Sequence, residues 1–379
     1  MNSKSTPDHH RRFTARYAQS PLIFGDIRMT SRSNPTSRGS TRARLQHARI
    51  AVIRWFDASV GSDDVRDPDG IDWLRVIPFI GLHLACLGVI WVGFSWIAFW
   101  TALGLYLLRM FAITGFYHRY FSHKAFKTSR VLQLVFAILG ATTVQRGPLW
   151  WAAHHRHHHR HADTPDDLHS PAQRGFWMSH VGWFLTPRAF ATDLSAVPDL
   201  ARFPELRWLD RFDILVPIVL AAALYGIGAW LESSAPQLGT NGPQMLVWGF
   251  FVSTVALFHV TVTINSLAHR FGRRRFPTRD DSRNNLWLAL LTFGEGWHNN
   301  HHHFPGSARQ GFRWWEVDVT YYLLRGMAAT GLVWDLKPAP ANLARNVAGS
   351  PAHVRDGEMA DIRIAPTQPV PSTALDAAR

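Results

Sequence analysis

Two stretches of the chain that carry no charged side chain constrain its fold more than any other feature. Residues 76–108 are 33 consecutive positions without Asp, Glu, Lys or Arg, and residues 243–268 are another 26. Buried helices of soluble proteins rarely continue that far without a charge, whereas transmembrane helices routinely do. A fully soluble globular fold is therefore close to excluded, and we predict an all-α integral membrane protein.

The apolar stretches divide into four predicted transmembrane helices, arranged as two hairpins. A bilayer core requires about 20 apolar residues per helix. The 42 residues from Val76 to Tyr117 are interrupted only by Arg109 and suit two spans joined near 93–95. The second connection, 231–243, is short, and its only charge is Glu232. The predicted spans are 76–95, 97–117, 214–230 and 244–268, and two shorter apolar stretches, 131–144 and 285–293, are predicted to be buried or interfacial helices.

Basic residues lie almost entirely outside the two predicted hairpins. The net charge is +13, and the exception is Arg109, near the end of its span. Because Lys and Arg favour the cytoplasmic side of a membrane, the termini, residues 118–213 and the chain after 268 are assigned to the cytoplasm. We therefore expect the four spans to be capped by a helical cytoplasmic domain.

The two ends of the chain are predicted to be disordered tails, 1–70 and 337–379, flanking a membrane domain at 71–336. Residues 1–54 carry 11 Lys or Arg against two Asp and lack apolar periodicity. Attraction to anionic lipid headgroups explains this basic N-terminal segment better than nucleic-acid binding does, because no domain with a surface for recognising nucleic acid follows it. We expect no cleaved export signal, and either Met1 or Met29 could start translation.

Histidine is the most unusual part of the composition, with 21 residues, 13 of which fall into four groups. His155, His158 and His159 have i, i+3, i+4 spacing and share one helix face, so we expect them to point at a common centre. The same spacing recurs at 298, 301 and 302. With His118, His123 and His269 these triplets supply nine imidazoles, too many for one metal and enough for two.

The predicted metal site is one for redox-active ions. The single cysteine, Cys86, excludes a zinc site with several thiolates and an iron–sulfur centre. Imidazole suits Zn, Cu, Fe and Ni, but zinc has no redox chemistry. Because imidazole ligands are neutral, the metal ions keep their full positive charge. A pair of redox-active metal ions beside a bilayer indicates oxidation of a lipid-soluble molecule. Nearby carboxylates could orient the imidazoles, or could simply be solvated or capping groups: Asp163, Asp166, Asp167 and Glu295.

Beyond this reasoning, the chain resembles a known family over residues 73–335. It contains, in order, HRYFSH, HRHHH followed by HSP and RGFWMSHVGW, NSLAH, and GEGWHNNHHHFP. These motifs resemble the membrane-bound acyl-CoA Δ9-desaturases (the stearoyl-CoA desaturase family), bacterial type. GEGWHNNHH and NSLAH distinguish this branch from front-end desaturases and from alkane or carotenoid hydroxylases.

The resemblance implies a di-iron centre held by nine histidines, with an asparagine that holds a water on one iron. The asparagine is Asn265, and the implied ligands are His118, His123, His155, His158, His159, His269, His298, His301 and His302. Four neighbouring histidines fall outside the pattern: His154, His157, His161 and His303. His169 and His180 match family positions outside the ligand set.

The resemblance also implies an O2-dependent oxidoreductase of the acyl-CoA 9-desaturase type. Such an enzyme introduces a cis double bond into a saturated acyl chain, and a bent apolar tunnel fixes which carbons react. Animal members have Arg-Asp where this chain has Ala153 and His154, and a tryptophan before NSLAH is missing. The substrate could therefore be acyl-CoA or the acyl chain of a phospholipid.

Four residues match family positions along the substrate tunnel. Gln145 and Trp151 correspond to residues near the headgroup and the bend. Tyr106 and Met110 lie one helical turn apart where the family closes its tunnel. Because the position of Met110 is small in members that prefer stearoyl chains, the bulky methionine predicts a preference for shorter chains such as palmitoyl.

The electrons must come from an external carrier, because the chain has no His-Pro-Gly-Gly haem motif. Ferredoxin, rubredoxin or a flavoprotein reductase would serve, and the arginine-rich side would attract an acidic one. The compact hairpins indicate a bacterial plasma (inner) membrane, with the site and both termini in the cytoplasm. Two alternatives stay open: a hydroxylase on the same scaffold, and a His-rich metal transporter, which predicts ionisable residues inside the spans. The sequence leaves open the double-bond position, the ligands of each iron and the oligomeric state.

Overall fold

The computed structural model describes residues 45–46, 48–50, 52–60 and 67–339, and helices are the predominant secondary structure within them. The only sheet pairs two short antiparallel strands in this described part, β1 (Lys127–Thr128) and β2 (Val333–Trp334). The α-helices are α1 (Trp73–Ala85), α2 (Val89–Val92), α3 (Trp96–Phe111), α4 (Arg130–Ala141), α5 (Pro148–His161), α6 (Pro171–Arg174), α7 (Pro198–Ala201), α8 (Pro204–Arg211), α9 (Leu215–Ser234), α10 (Gly242–Gln244), α11 (Ser253–Ser266), α12 (Leu286–Leu291), α13 (His298–His303) and α14 (Val319–Ala329). Three segments are π-helical: Ala112–Ser122, Met178–Gly182 and Met245–Val252.

Three helical runs among the described residues are long and apolar enough to cross a membrane. They are Trp96–Ser122, Leu215–Ser234 and Gly242–Ser266, close to the second, third and fourth predicted spans. The first predicted span forms a shorter apolar run, Val76–Val92, which ends at Gly93 with a φ of 71°. The helices therefore indicate a membrane protein, whereas a fourth crossing stays a prediction. The two shorter predicted helices are present as α4 and α12.

The connections of the two predicted hairpins lie side by side. The Ser95 hydroxyl is 2.6 Å from that of Thr240, and the Gln244 amide donates to the Val92 carbonyl over 3.0 Å. The indole of Trp248 donates to the Gly93 carbonyl, also over 3.0 Å. These contacts lie at the beginnings of the runs Trp96–Ser122 and Gly242–Ser266, and His118 and His269 lie near the other ends of these runs.

Arg109 is the one charge in the first apolar region, and it is 1% exposed. Its guanidinium donates to the Thr142 carbonyl over 3.2 Å, to the Thr254 hydroxyl over 2.8 Å and to the Ser253 hydroxyl. Thr142 follows the carboxyl end of α4, where the helix dipole favours a cation. A buried charge needs such partners, and these link the second predicted span to the fourth and to α4.

Parts of both predicted tails contact the rest of the protein. Asp57 pairs with Arg211 over 2.7 Å, and the Ala58 amide donates to the Arg211 carbonyl over 2.8 Å. Lys337 donates its amide to the Ala125 carbonyl over 2.8 Å. These contacts tie Asp57, Ala58 and Lys337 to the membrane domain, and the disorder of the two tails stays a prediction. Most of both predicted tails, residues 1–44 and 340–379 among them, lies outside the described residues.

Candidate metal centre

Five of the predicted ligands form one group, called here the five-histidine group. It consists of His118, His123, His155, His159 and His301, each offering one nitrogen within 4.8 Å of the others. The Nε2 atoms of His123 and His155 are 2.7 Å apart, and those of His118 and His301 are 3.0 Å apart. Imidazole nitrogens converge in this way around a metal ion.

The other four predicted ligands form the four-histidine group: His158, His269, His298 and His302. The Nε2 atoms of His269 and His298 are 3.0 Å apart, and those of His158 and His302 are 3.3 Å apart. The two groups are adjacent, because α5 and α13 each contribute to both. All nine histidines named from the sequence are thus brought together, as five and four.

The prediction that each helical triplet points at one common centre is wrong. On α5, His155 and His159 belong to the five-histidine group and His158 to the four-histidine group. On α13, His301 belongs to the first group and its two neighbours in the triplet to the second. Residues three and four apart share a face but stand about 5–6 Å apart, so a helix beside two centres divides its triplet between them.

A π-helix brings His118 and His123 together. The His123 amide donates to the His118 carbonyl over 3.2 Å, a bond that spans five residues. This wider turn stacks residues five apart, and the two ring centroids are 4.9 Å apart. In an ordinary α-helix the same two residues would point in different directions. Such π-segments are frequent at functional sites, and no residue spacing in HRYFSH predicts this one.

Carboxylates hold the outer nitrogens of four ligand histidines. The Nδ1 of His118 is 2.5 Å from Glu295, and that of His269 is 2.7 Å from Asp163. The other two pairs are His158 with Asp167 at 3.0 Å and His302 with Asp280 at 2.9 Å. A carboxylate at Nδ1 fixes the proton there and leaves the Nε2 lone pair facing inward.

Three of these four carboxylates were candidates from the sequence, and Asp280 was missed. Asp280 lies in an arginine-rich loop after the fourth predicted span, far in sequence from His302, so no spacing rule links them. The candidate Asp166 does not support a predicted ligand; its carbonyl contacts the off-pattern His157 at 3.0 Å. Glu295 also pairs with the buried Arg119 at 3.1 Å.

Burial keeps most of the ligand imidazoles neutral. Loss of water and neighbouring histidines hold the pKa of five of them well below 6.5: His123, His155, His159, His298 and His301. Burial likewise lowers the pKa of His302 to about 4, against the opposing effect of Asp280. Burial also opposes ionisation of Asp163, but hydrogen bonds from His269 and Ser170 outweigh it and lower its pKa to about 2. Neutral imidazole is the metal-binding form.

His158 is the exception among these imidazoles. Burial disfavours its charged form, but the ion pair with Asp167 outweighs that effect and raises its pKa. A metal ion at Nε2 would compete with the proton at that atom. Nine inward-facing nitrogens, mostly neutral and supported from outside by carboxylates, fit two transition-metal ions.

Two cavities reach the histidines. The inner cavity, about 50 Å³, is lined by ligands of both groups, among them His118, His155, His158 and His298, and by Asn265 and Met110. The outer cavity, about 260 Å³, is lined mainly by apolar and aromatic side chains such as Phe79, Trp183 and Phe258. Both cavities share Trp151, His155, Thr261 and Asn265. The two cavities are therefore adjacent, and both lie beside the histidine groups.

Three of the four predicted substrate residues line these cavities. Gln145 lines the outer cavity and donates to the Thr261 hydroxyl over 3.2 Å. Trp151 lines both cavities, and Met110, fully buried, lines the inner one. Tyr106 lines neither cavity, and its hydroxyl donates to the Leu291 carbonyl over 2.9 Å. Its role in closing a tunnel therefore stays a prediction.

The off-pattern histidines lie outside both groups. His154 packs against Trp150 and Trp183, with ring centroids 4.4 and 5.6 Å away. His303 stacks on Phe276 at 4.3 Å. His169 is 3.3 Å from Asp167, which places it behind His158. The exclusion of these histidines from the ligand set stays a prediction.

Loss of one supporting carboxylate is expected to weaken metal binding selectively. Asp167→Asn keeps the size of the side chain but removes the charge beside His158, so metal affinity of the four-histidine group should fall about 10–100-fold. Chelator competition followed by metal analysis would measure it. Asp166→Asn, an exposed neighbour, is the matched control and should leave affinity unchanged; an equal loss in both variants would contradict the assignment.

Comparison with known proteins agrees with this geometry. A family model described as fatty acid desaturase matches residues 94–336. A palmitoyl-monogalactosyldiacylglycerol delta-7 desaturase of Arabidopsis thaliana is 38% identical over 285 residues, covering 74% of this chain and 73% of that protein. An sn-2 palmitoyl-lipid 9-desaturase of Nostoc sp. (strain 36) is 37% identical and covers 71% and 91%. An acyl-CoA C20 Delta5-desaturase of Anemone leveillei is 36% identical and covers 72% and 84%.

Proposed function

Because the chain belongs to the fatty acid desaturase family, we propose that it introduces a cis double bond at the Δ9 position of a saturated acyl chain, using O2. The observation that carries this proposal is the inner cavity, which is lined by ligands of both histidine groups and shares its wall with a larger apolar cavity. An alkyl chain that fills both cavities would have a methylene beside the metal centre. The relatives' names give positions 5, 7 and 9, so Δ9 rests on the motifs NSLAH and GEGWHNNHH.

The five- and four-histidine groups would each hold one iron ion, with Asn265 beside the four-histidine group. When bound, the two ions supply the O2 activation and the redox change that side chains alone cannot. The balance is one acyl CH2–CH2, one O2, two electrons and two protons giving one CH=CH and two waters. The aspartates and Glu295 hold protons on the Nδ1 atoms, so that the Nε2 atoms stay available as ligands.

The chain's own residues fix which carbons react. The methylenes of an acyl chain are chemically alike, so selection depends on how far the chain enters. Trp151 lines both cavities, and Met110 lines only the inner one, where the chain would end. The amide of Gln145 and the hydroxyl of Thr261 are the polar pair on the outer side.

The carrier of the acyl chain is proposed to be CoA or a phospholipid. Both kinds are represented in the names of the relatives, which include an acyl-CoA and a palmitoyl-lipid desaturase. His154 lines the outer cavity at the position where animal members have Asp. This difference supports a substrate headgroup that differs from the one bound by the animal enzymes. Electrons would come from an acidic external carrier, either ferredoxin, rubredoxin or a flavoprotein reductase.

We further propose four spans in a bacterial plasma membrane, with the histidines and both termini in the cytoplasm. The neighbouring hairpin connections at Ser95 and Thr240 support a common side for the other ends of the spans. The Lys and Arg residues outside the hairpins support the cytoplasm as that side. The short run Val76–Val92 would complete the first hairpin.

Shortening Met110 is expected to change the preferred chain length. Met110→Ala enlarges the inner cavity, and because one methylene in an apolar pocket is worth about 1–3 kcal/mol, the C18/C16 product ratio should rise about tenfold or more. Gas chromatography of cellular fatty acids would measure the ratio. Leu107→Ala, at an exposed neighbour on the same helix, is the control, and an unchanged ratio in Met110→Ala would refute the role of Met110.

The experiment that tests the proposed function is expression in a host that lacks its own aerobic desaturase. New cis-Δ9 C16:1 or C18:1 in cellular lipids is the expected result. Hydroxylated acyl chains would assign the protein to hydroxylation instead. Unchanged lipids in cells whose purified protein holds two iron ions, assayed with an electron donor supplied, would refute desaturation; bound zinc would favour a metal transporter.

A further inference from the structure

Three histidines that are not predicted ligands form a continuous chain in the apolar region. His83 on α1 and His259 on α11 bring their Nε2 atoms to 2.9 Å. The Nδ1 of His259 is 3.1 Å from the Nε2 of His180. The Nδ1 of His180 is 2.9 Å from the hydroxyl of Ser266, the last residue of α11. We call these residues the histidine chain.

The direction of the hydrogen bonds in the histidine chain follows from one end. The Nδ1 of His83 is 2.8 Å from the Phe79 carbonyl, which only accepts, so the His83 proton lies on Nδ1. A neutral His83 must then accept at Nε2 from His259. His259 in turn accepts at Nδ1 from His180, and the Nδ1 of His180 faces the Ser266 hydroxyl, which also donates to the Val262 carbonyl over 3.1 Å. Each ring therefore has one fixed tautomer, and each ring nitrogen has a partner.

The far end of the histidine chain reaches the metal centre through the backbone. Ser266 follows Asn265, which lines the inner cavity beside His298. The Ser179 hydroxyl, next to His180, donates to the Asn265 carbonyl over 3.1 Å. Three residues after Ser266 comes His269, a member of the four-histidine group. Ser179 and His180, which are neighbours in one π-helix, thus both bind the end of α11. Ser179 binds the backbone carbonyl of Asn265, and His180 contacts the side chain of Ser266.

We propose that His180, which is oriented by His259 and His83, is a positioning residue. It fixes the end of α11 and thereby holds Asn265 and His269 in place at the four-histidine group. The inference rests on the proposed metal centre and goes beyond it, because it gives a role to three histidines that are not predicted ligands. It concerns the four-histidine group alone, since the described contacts of the chain do not reach the five-histidine group.

Two other interpretations fit the geometry less well. The chain is not arranged as a third metal site, because His259 uses different nitrogens towards its two neighbours and the lone pairs do not converge. It is also more than packing. Ionisable side chains in a membrane layer are costly and are usually kept for a function, and an apolar residue at each position would fill the space without fixing a direction.

Cobalt titration of the full-length protein, stripped of metal, tests the proposal without any catalytic turnover. The visible spectrum of Co²⁺ depends on its coordination, so the five- and four-histidine groups should give separate signals. His180→Phe is expected to weaken Co²⁺ binding to the four-histidine group about tenfold, the lower end of the effect of an outer residue that orients a ligand, and to alter the spectrum of that site only.

Three further variants separate positioning from stability. His180→Asn keeps an acceptor for Ser266 and should stay within about twofold of the wild type. His259→Phe breaks the chain one step earlier, so it should give a smaller loss, and it carries the test if His180→Phe does not fold. Thr263→Val, on the same helix, removes a hydroxyl that donates to the Val260 carbonyl without removing a chain nitrogen, and it should bind cobalt like the wild type.

The outcomes distinguish this inference from the proposed function. Equal cobalt affinity in wild type, His180→Phe and His259→Phe would overturn the positioning role while leaving the metal centre intact. Equal weakening of both groups, together with a lowered melting temperature, would also overturn it and assign the chain to stability. A wild-type protein that takes up fewer than two cobalt ions would contradict the metal centre itself, and the inference with it.

Discussion

His298→Ala is expected to abolish formation of unsaturated fatty acids. His298 belongs to the four-histidine group, its Nε2 lies 3.0 Å from that of His269, and it lines the inner cavity. Removal of this imidazole leaves three histidines in that group, and alanine supplies no nitrogen in its place. Altering only the residues around ligands costs about 10–100-fold in affinity or activity, so loss of a ligand should cost at least the upper end of that range. Fatty-acid profiles of expressing cells and iron content of the purified protein would measure the effect.

His303→Ala is the matched control for this experiment. His303 lies on the same short helix, one residue from His302, but its ring stacks on Phe276 at 4.3 Å and belongs to neither histidine group. Products and iron content should therefore stay close to those of the wild type. Retained desaturation in His298→Ala, or an equal loss in His303→Ala, would refute the assignment of ligands by helical spacing.

Asp318→Ala is expected to destabilise the protein strongly. Arg119 is 1% exposed and pairs with Asp318 at 2.9 Å and Glu295 at 3.1 Å. Asp318, which is fully buried, also accepts the backbone amides of Gln310 over 2.7 Å and Tyr321 over 3.0 Å. Because one partner of a buried ion pair is lost and these donors are left unsatisfied, the expected cost is about 3–5 kcal/mol. Denaturation of the detergent-solubilised protein, followed by tryptophan fluorescence, would measure it.

The matched control is Asp335→Ala. Asp335 pairs with Lys127 at 2.8 Å, but both side chains are more than half exposed, and such surface pairs contribute about 0–1 kcal/mol. Loss of Asp318 has a second consequence. Glu295 would have to balance the positive charge of Arg119 without Asp318, while it also accepts the hydrogen bond from the Nδ1 of His118. The metal affinity of the five-histidine group should therefore fall in Asp318→Ala and stay unchanged in Asp335→Ala. Equal stability of the two variants would contradict this account of the buried charges.

The nine histidines could be found from the sequence because helical spacing is local. An i, i+3, i+4 triplet shares a face whatever surrounds the helix, and the motifs assigned the remaining ligands by resemblance. The same reasoning gave a wrong result for the centre of each triplet. Whether His158 turns to the same metal as His155 depends on where α13 and α11 lie, and residues more than 100 positions apart in the chain decide that.

Other parts of the site left no local signal. The supporting role of Asp280 depends on the path of the loop after α11, which brings its carboxylate to 2.9 Å from His302. The π-helix at Ala112–Ser122 depends on packing, since no spacing in HRYFSH distinguishes it from an α-helix. His83 and His259 are 176 residues apart in the sequence, and only the packing of α1 against α11 makes them neighbours.

The charge-free runs and the histidine motifs are enough to predict a helical membrane protein with a histidine-rich centre at one end of its apolar helices. A long charge-free run is stable as a helix in lipid, because every backbone polar group is paired inside its own segment. The division of nine imidazoles into five and four, the carboxylates that hold them, and the two adjacent cavities at Trp151 and Asn265 could not be predicted in this way. Those features arise from contacts between segments that are distant in the sequence. Residue spacing shows which face of a helix carries the histidines, but it does not show which other segments that face contacts.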